Sequence, residues 1–266
     1  MDIIRIEEKA IEEIPFIYAL GNGNKVYRKL PILEAEVESL PEALEAIIAT
    51  GDLQGVDIDN GQLLGHTVAR VLESLADRGT IPPQQKIGII LAGDLWATAN
   101  KRGGVGDVRA VWQAMASRFC WVAGVGGNHD CFGKSPQEMK AFRSRRGIYY
   151  FDGHLEEVNG LRLAGVSGII GKPTKHFRRR ERDFLKLIQK LVKKSPDILI
   201  LHEGPGDRAR KLMGRESIRQ VLINTKNLVT ICGHSHWKIP KIELPLGSTV
   251  VNVDGRAIVF RVKSNK

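Results

Sequence analysis

Five times in this chain an unbroken apolar run gives way at once to glycine and polar groups. Ala46-Ile47-Ile48-Ala49 leads into Thr50-Gly51-Asp52-Leu53-Gln54, and Ile87-Gly88-Ile89-Ile90-Leu91-Ala92 leads into Gly93-Asp94. Trp121-Val122-Ala123-Gly124-Val125 leads into Gly126-Gly127-Asn128-His129-Asp130. Ile198-Leu199-Ile200-Leu201 ends in His202-Glu203-Gly204, and Leu228-Val229-Thr230-Ile231-Cys232 ends in Gly233-His234-Ser235-His236. Continuous apolar runs of this length, bounded by glycine, read as strands buried on both faces. Polar side chains at the end of such a strand must face a ligand, a metal or water.

Helical stripes lie between the runs. Residues 63–75 keep one through Leu64, Val68, Val71, Leu72 and Leu75, and residues 107–119 keep another through Val108, Val111, Met115 and Phe119. Phe184, Leu185, Ile188, Leu191 and Val192 make a third, and all three read as core-facing. Strand and helix in alternation imply a mainly parallel α/β sheet, with ligands beyond the carboxyl ends of the strands. Shorter β-like pieces at 148–151, 154–158, 161–164, 249–253 and 257–262 predict a second sheet packed on the first.

Residues 1–42 differ. Two apolar stretches flank Gly21-Asn22-Gly23-Asn24, a hairpin signal, and residues 34–45, rich in Glu, Ala and Leu, read as a short helix interrupted at Pro41. The expectation is a β-ribbon appendage over 1–42 that packs on, or shapes the entrance of, one main domain over 43–266.

Composition limits the partners. The net charge of +10 favours anionic ones such as nucleotides, nucleic acids or phosphorylated metabolites. No window is apolar enough to span a membrane. Acidic residues near the N-terminus and three cysteines without a CxxC pair lead us to expect a cytoplasmic protein.

Asp52, Asp94, Asn128, His202, His234 and His236, all at strand ends, offer oxygen and imidazole nitrogen without thiolate, a donor set suited to Mn, Fe or Zn. The order Asp52-Leu53-Gln54, Gly93-Asp94, Gly127-Asn128-His129-Asp130, His202, Gly233-His234-Ser235-His236 resembles the calcineurin-like metallophosphoesterase superfamily over roughly residues 46 to 262. The resemblance implies an α/β fold, a two-sheet β-sandwich flanked by helices in four αββα layers. It further implies a dinuclear centre that hydrolyses a small phosphate ester. Carried over, Asp52, Asp94 and His236 would hold one divalent ion. Asp94, as a bridge, with Asn128, His202 and His234 would hold the other, with Mn expected and Fe or Zn as alternatives. His129 would bind phosphoryl oxygens and protonate the leaving oxygen.

Gln54 stands where the family has a histidine. It either ligates through its carbonyl oxygen, giving a looser site, or contacts a ligand water. Asp130 either orients His129 or closes the turn. Trp237 either stacks on a base or covers the site. The sequence Leu95-Trp96-Ala97-Thr98-Ala99-Asn100 replaces the Asp-Arg-Gly element of the protein-phosphatase branch, which argues against a phosphoprotein substrate. The basic stretch at 175–182 reads as the solvated face and first turn of the third helix rather than a nucleic-acid contact. A nuclease, or a non-catalytic binding module on a degenerate fold, remains the alternative to a small-substrate esterase, with nucleic acid the less favoured partner. Oligomeric state is not legible.

Overall fold

The structure, a computed structural model, describes residues 1–100 and 102–262. The chain begins with β1 (Ile3–Ile6), β2 (Glu12–Ala19), β3 (Lys25–Val37) and β4 (Ala46–Gly51). Next come α1 (Leu64–Asp77), β5 (Ile87–Leu91), β6 (Gly106–Asp107), α2 (Arg109–Ala116), β7 (Trp121–Gly124) and β8 (Asp130–Cys131). The middle holds α3 (Pro136–Arg143), β9 (Ile148–Tyr150), β10 (His154–Val158), β11 (Leu161–Val166), β12 (Ile169–Ile170), β13 (Arg178–Arg179) and α4 (Glu181–Val192). Then β14 (Ile198–Glu203), α5 (Glu216–Leu222), β15 (Val229–Gly233), β16 (Lys241–Glu243), β17 (Thr249–Asn252) and β18 (Arg256–Val262) close the described chain.

Two sheets carry the fold. The first runs β1-β3-β18-β4-β5-β7-β9, with β2 paired to β3; the second runs β10-β11-β14-β15-β17-β16. The five apolar runs therefore divide: β4, β5 and β7 pair in parallel in the first sheet, and β14 and β15 in the second.

Side-chain alternation explains why these strands lack polar positions. In β4, Ile47 and Ala49 point between the sheets while Ala46 and Ile48 meet α1 and α2. In β14, Ile198 and Ile200 point between the sheets while Leu199 and Leu201 meet α4 and α5. At these central strands both faces of each sheet are covered, so both parities must be apolar. Complete burial of such a side chain stabilises by about 1.5–3 kcal/mol. The result is the four-layer αββα sandwich.

The hairpin forms as the turn chemistry predicts, with Ala19 opposite Lys25. Residues 34–37 are strand, not helix: Leu33, Ala35 and Val37 are buried while Glu34 and Glu36 alternate outward, and β3 continues against β18 and β1. Period two overrides the helix propensity of Glu and Ala here. Residues 175–180 precede α4 instead of forming its first turn, because Arg178 and Arg179 pair with Ile169 and Ile170. Among the described residues no helix is long and apolar enough to cross a membrane.

Candidate metal centre

The strand ends of both sheets meet at one edge of the sandwich. Three candidate residues there, Asp52 (φ 51°), Asp94 (φ 53°) and His234 (φ 66°), lie in the left-handed region, which side-chain-bearing residues seldom adopt. Each directly follows a glycine at or just past the end of its strand, so the chain reverses there and turns its side chain into the junction. Such backbone strain persists only where surrounding contacts enforce it.

Those contacts are visible. Asp52 N–H donates to Gly93 O at 2.8 Å, tying the first strand end to the second. The Asp130 carboxylate ties the second to the third, accepting from the N–H groups of Asp94 (2.8 Å), Leu95 (2.7 Å) and Gly127 (2.9 Å). Asp130 thus closes the turn. The His129 ring is oriented instead by Gly104 O, 2.6 Å from its Nδ1. A carbonyl only accepts, so Nδ1 carries the proton and Nε2 is left toward Asp94 Oδ2, 3.9 Å away.

Two side-chain contacts cross between the sheets. Asp52 Oδ2 accepts from His234 N–H at 2.8 Å, and fully buried His202 donates from Nδ1 to Ala92 O at 2.8 Å. Two glycines make room for the carboxylates. A Cβ on Gly127 would sit 2.0 Å from Asp94 Oδ1, and one on Gly233 would sit 2.1 Å from Asp52 Oδ2.

Asp94, His202 and His234 come together, with one ligand atom of each within 4.8 Å of the others. Asp94 Oδ2 lies 3.3 Å from His202 Nε2 and accepts from Gln54 Nε2 at 3.1 Å, while Oδ1 accepts from His129 N–H at 2.8 Å. Asn128, buried, directly precedes His129 in the chain. Its Oδ1, like His202 Nε2, has no hydrogen-bond partner among the described residues. A buried polar atom left so costs about 1–3 kcal/mol. An imidazole whose other nitrogen donates to a backbone carbonyl presents its free nitrogen as a metal ligand.

His236 is placed differently. Its Nδ1 is 3.2 Å from Asp254 O, and its Nε2 is 3.5 Å from Arg256 Nη2. Both ring nitrogens thus have protein partners outside the Asp94, His202 and His234 group.

Charge agrees with a cation site. Burial, then neighbouring Asp254, holds the Asp52 carboxyl well above the usual range. Burial would also raise Asp94, but the His202 imidazole beside it outweighs that and lowers it. Burial works against a charged His202, yet Asp94 and Asp52 push it up to about 10. Burial and then His202 take His234 down to about 4. Buried carboxylates here draw in whatever positive charge is available, and the unpartnered oxygen and nitrogen fit a divalent ion.

Asp254 was missed in the sequence. It follows the apolar run of β17 through Val253, bridges Gly51 through its backbone and places its carboxylate 3.5 Å from His236 Nδ1. Its signal is a variant of the motif seen five times already, an apolar stretch giving way to glycine and a polar group, here Asp254-Gly255. Trp237 is 2% exposed and donates to Met213 O at 2.7 Å, so it packs under the site and offers no face to a base. Cys232 is buried filler; Cys131 is partly buried and donates from Sγ to Gly133 O.

A cleft of about 1290 Å³ opens over this junction, walled on one side by the β1–β3 ribbon and on the other by residues around His236 and Arg256. A family model described as calcineurin-like phosphoesterase matches residues 46–238. No curated protein matches the sequence. Among solved structures, the chain is similar to the sulfate thiohydrolase SoxB from Thermus thermophilus in complex with glycerol. The TM-score is 0.45 and the identity 11%, over 81% of this chain and 53% of that one, so the chain spans about half the length of that relative. It is also similar to a protein of unknown function from Aquifex aeolicus, at TM-score 0.35 and 14% identity over 80% of this chain and 95% of that one.

Proposed function

Because this chain belongs to the calcineurin-like phosphoesterase family, we propose that it hydrolyses a small phosphate ester using two divalent ions at the junction of the sheets. The observation that carries the reading is the gathering of Asp94, His202 and His234, together with the unpartnered Asn128 oxygen. In this reading Asp94, Asn128, His202 and His234 hold one ion. Asp52, Asp94 and His236 hold the other, with Gln54 at its edge, and manganese suits this oxygen-rich set. His236 must then release Arg256 to bind. When bound, the ions acidify a water and polarise the phosphoryl oxygens.

The remaining work falls to His129. Its backbone N–H is fixed on Asp94 and its Nδ1–H on Gly104 O, so Nε2 is the atom that holds a proton for the leaving oxygen. A purely binding protein has no use for that arrangement.

The nuclease alternative draws less support. Arg179, in the most basic stretch, donates to Asp152 Oδ2 at 2.7 Å and also to Ser167 O, so it stitches the protein together rather than facing a partner. Hydrolysis of an aryl phosphate and its diester, with and without Mn²⁺, tests the proposal. Turnover of at least one, dependent on metal, is expected. No turnover of either, with no metal found by elemental analysis, overturns it.

A further inference from the structure

The cleft is far larger than a phosphoryl group requires. Ligand pockets usually measure about 300–1,000 Å³, whereas this cleft holds about 1290 Å³. A substrate that occupies it extends well beyond its reacting phosphorus, and the charges on the wall indicate in which direction.

Several cations lining the cleft are already engaged, and Arg256 among them donates to Trp237 O. Arg5 meets Glu7 and Glu36, Lys29 meets Glu13 at 2.7 Å, and Lys241 meets Glu243 at 3.1 Å. Arg28 and Arg102 differ: both are exposed, and neither has a carboxylate partner among the described residues. They come from distant parts of the chain and gather at one ring. The Arg28 guanidinium lies 4.8 Å from the centroid of Tyr18, and that of Arg102 lies 6.0 Å from it. An aromatic face orients a guanidinium while leaving its N–H edges free for an anion.

This cluster adjoins the metal centre. Tyr18, Arg102 and Gly103 border the same small hollow as Gln54. Arg102 also begins the Arg102-Gly103-Gly104 segment whose carbonyl holds the His129 ring, and a Cβ on Gly103 would lie 3.8 Å from His129 Cε1.

We propose that Arg28 and Arg102, gathered on Tyr18, form a subsite for a second phosphate group, so that the substrate is an ester carrying two phosphates. This rests on the phosphoesterase reading above. Two guanidiniums offer planar, multidentate N–H edges to an anion with three free oxygens and close to two negative charges. Gln54, neutral where the family has histidine, borders both sites. The β2–β3 hairpin, through Tyr18 and Arg28, becomes part of the substrate site.

The test uses the full chain with Mn²⁺ on a His129→Ala background, which limits turnover during calorimetric titration. The ligands are adenosine 5′-monophosphate, adenosine 5′-diphosphate and adenosine 3′,5′-bisphosphate. At least one two-phosphate ligand is expected to bind about tenfold or more tightly than the monophosphate, and Arg28→Ala and Arg102→Ala each to cut that ratio by about tenfold. Lys190→Ala, on the far surface of α4, is expected to leave the ratio as it was. A parent ratio near one overturns the proposal, as does a ratio that survives both arginine changes or one that Lys190→Ala lowers equally. Hydrolysis by the unsubstituted chain is scored separately, so failure of the esterase reading is distinguishable from failure of the subsite.

Discussion

Replacing Asp130 with asparagine separates the two roles this residue could have in the sequence. Its Oδ2 accepts from Asp94 N–H and Gly127 N–H, and its Oδ1 from Leu95 N–H and, at 3.3 Å, Trp96 N–H. An asparagine keeps one oxygen and turns an NH₂ toward the donors on the other side. The less costly orientation keeps the Asp94 and Gly127 bonds and strands Leu95 N–H in a fully buried place. A lost bond to a charged group costs about 1.5–3 kcal/mol, and the two that survive become neutral and weaker, so the total is about 3–5 kcal/mol. At about 2–4 °C per kcal/mol for a chain of this size, the midpoint of thermal unfolding should fall by about 10 °C. Circular dichroism in chelator measures it, so that metal loss does not add to the effect. A midpoint within about 2 °C of the parent, with activity nonetheless lost, would refute the reasoning and assign Asp130 to His129 instead.

His129→Ala should keep its metal content by elemental analysis while turnover falls about 10²- to 10⁴-fold; loss of metal would show that the imidazole is a ligand. Gly233→Ala puts a Cβ within 2.1 Å of Asp52 Oδ2, so bound metal should fall from two ions per chain toward one, and unchanged content would remove Asp52 from the ligand set. Asp57 accepts from Thr67 Oγ1 at 2.5 Å, from the N–H groups of Asp59 and Asn60, and from Arg70 at 3.0 Å. Burial opposes its ionisation, yet these donors outweigh it and lower its pKa. A lowered carboxyl stabilises the fold above its ordinary value near 4 and loses that contribution as pH falls through the depressed one. Asp57→Asn should therefore cost about 2 kcal/mol at pH 6 and less at pH 3, and an equal difference at both in thermal melts would count against the ion-pair account.

The parts of the fold legible in the sequence were those where burial leaves no choice. Strands β4, β5, β7, β14 and β15 are covered on both faces, so their apolar runs and abrupt polar ends stand out. Helices α1, α2 and α4 carry full stripes. Helix α3 buries only Phe142, and α5 only Ile218 and Leu222, too few positions to make a period visible. Residues 34–37 misled because glutamate and alanine favour helices, whereas the alternation of Leu33, Ala35 and Val37 is what the β18 edge selects. The candidate site was legible for the same reason as the strands, since each polar group sits where an apolar run stops. Asp254 obeys that rule less visibly, because Asn252 interrupts the apolar run that leads to it. What spacing cannot encode is side-chain direction: nothing between Gly233 and Trp237 says that His236 turns to Asp254 and Arg256.

The division of the strands has a chemical consequence. The candidate oxygen donors Asp52, Asp94 and Asn128 all follow strands of the first sheet, and the candidate nitrogen donors His202, His234 and His236 lie at or after strand ends of the second. Neither sheet alone offers a mixed set. The set exists only because the strands of both sheets end at the same edge, held in register by His202 on Ala92 O and by His234 N–H on Asp52. Side chains between the sheets, such as Ile47, Ala49, Ile198 and Ile200, therefore set the spacing of donors they never touch. A close-packed interior passes small shape changes on to its neighbours rather than absorbing them. Repacking that interface should therefore disturb metal binding at substitutions too mild to unfold the chain, and it should do so without altering any candidate ligand.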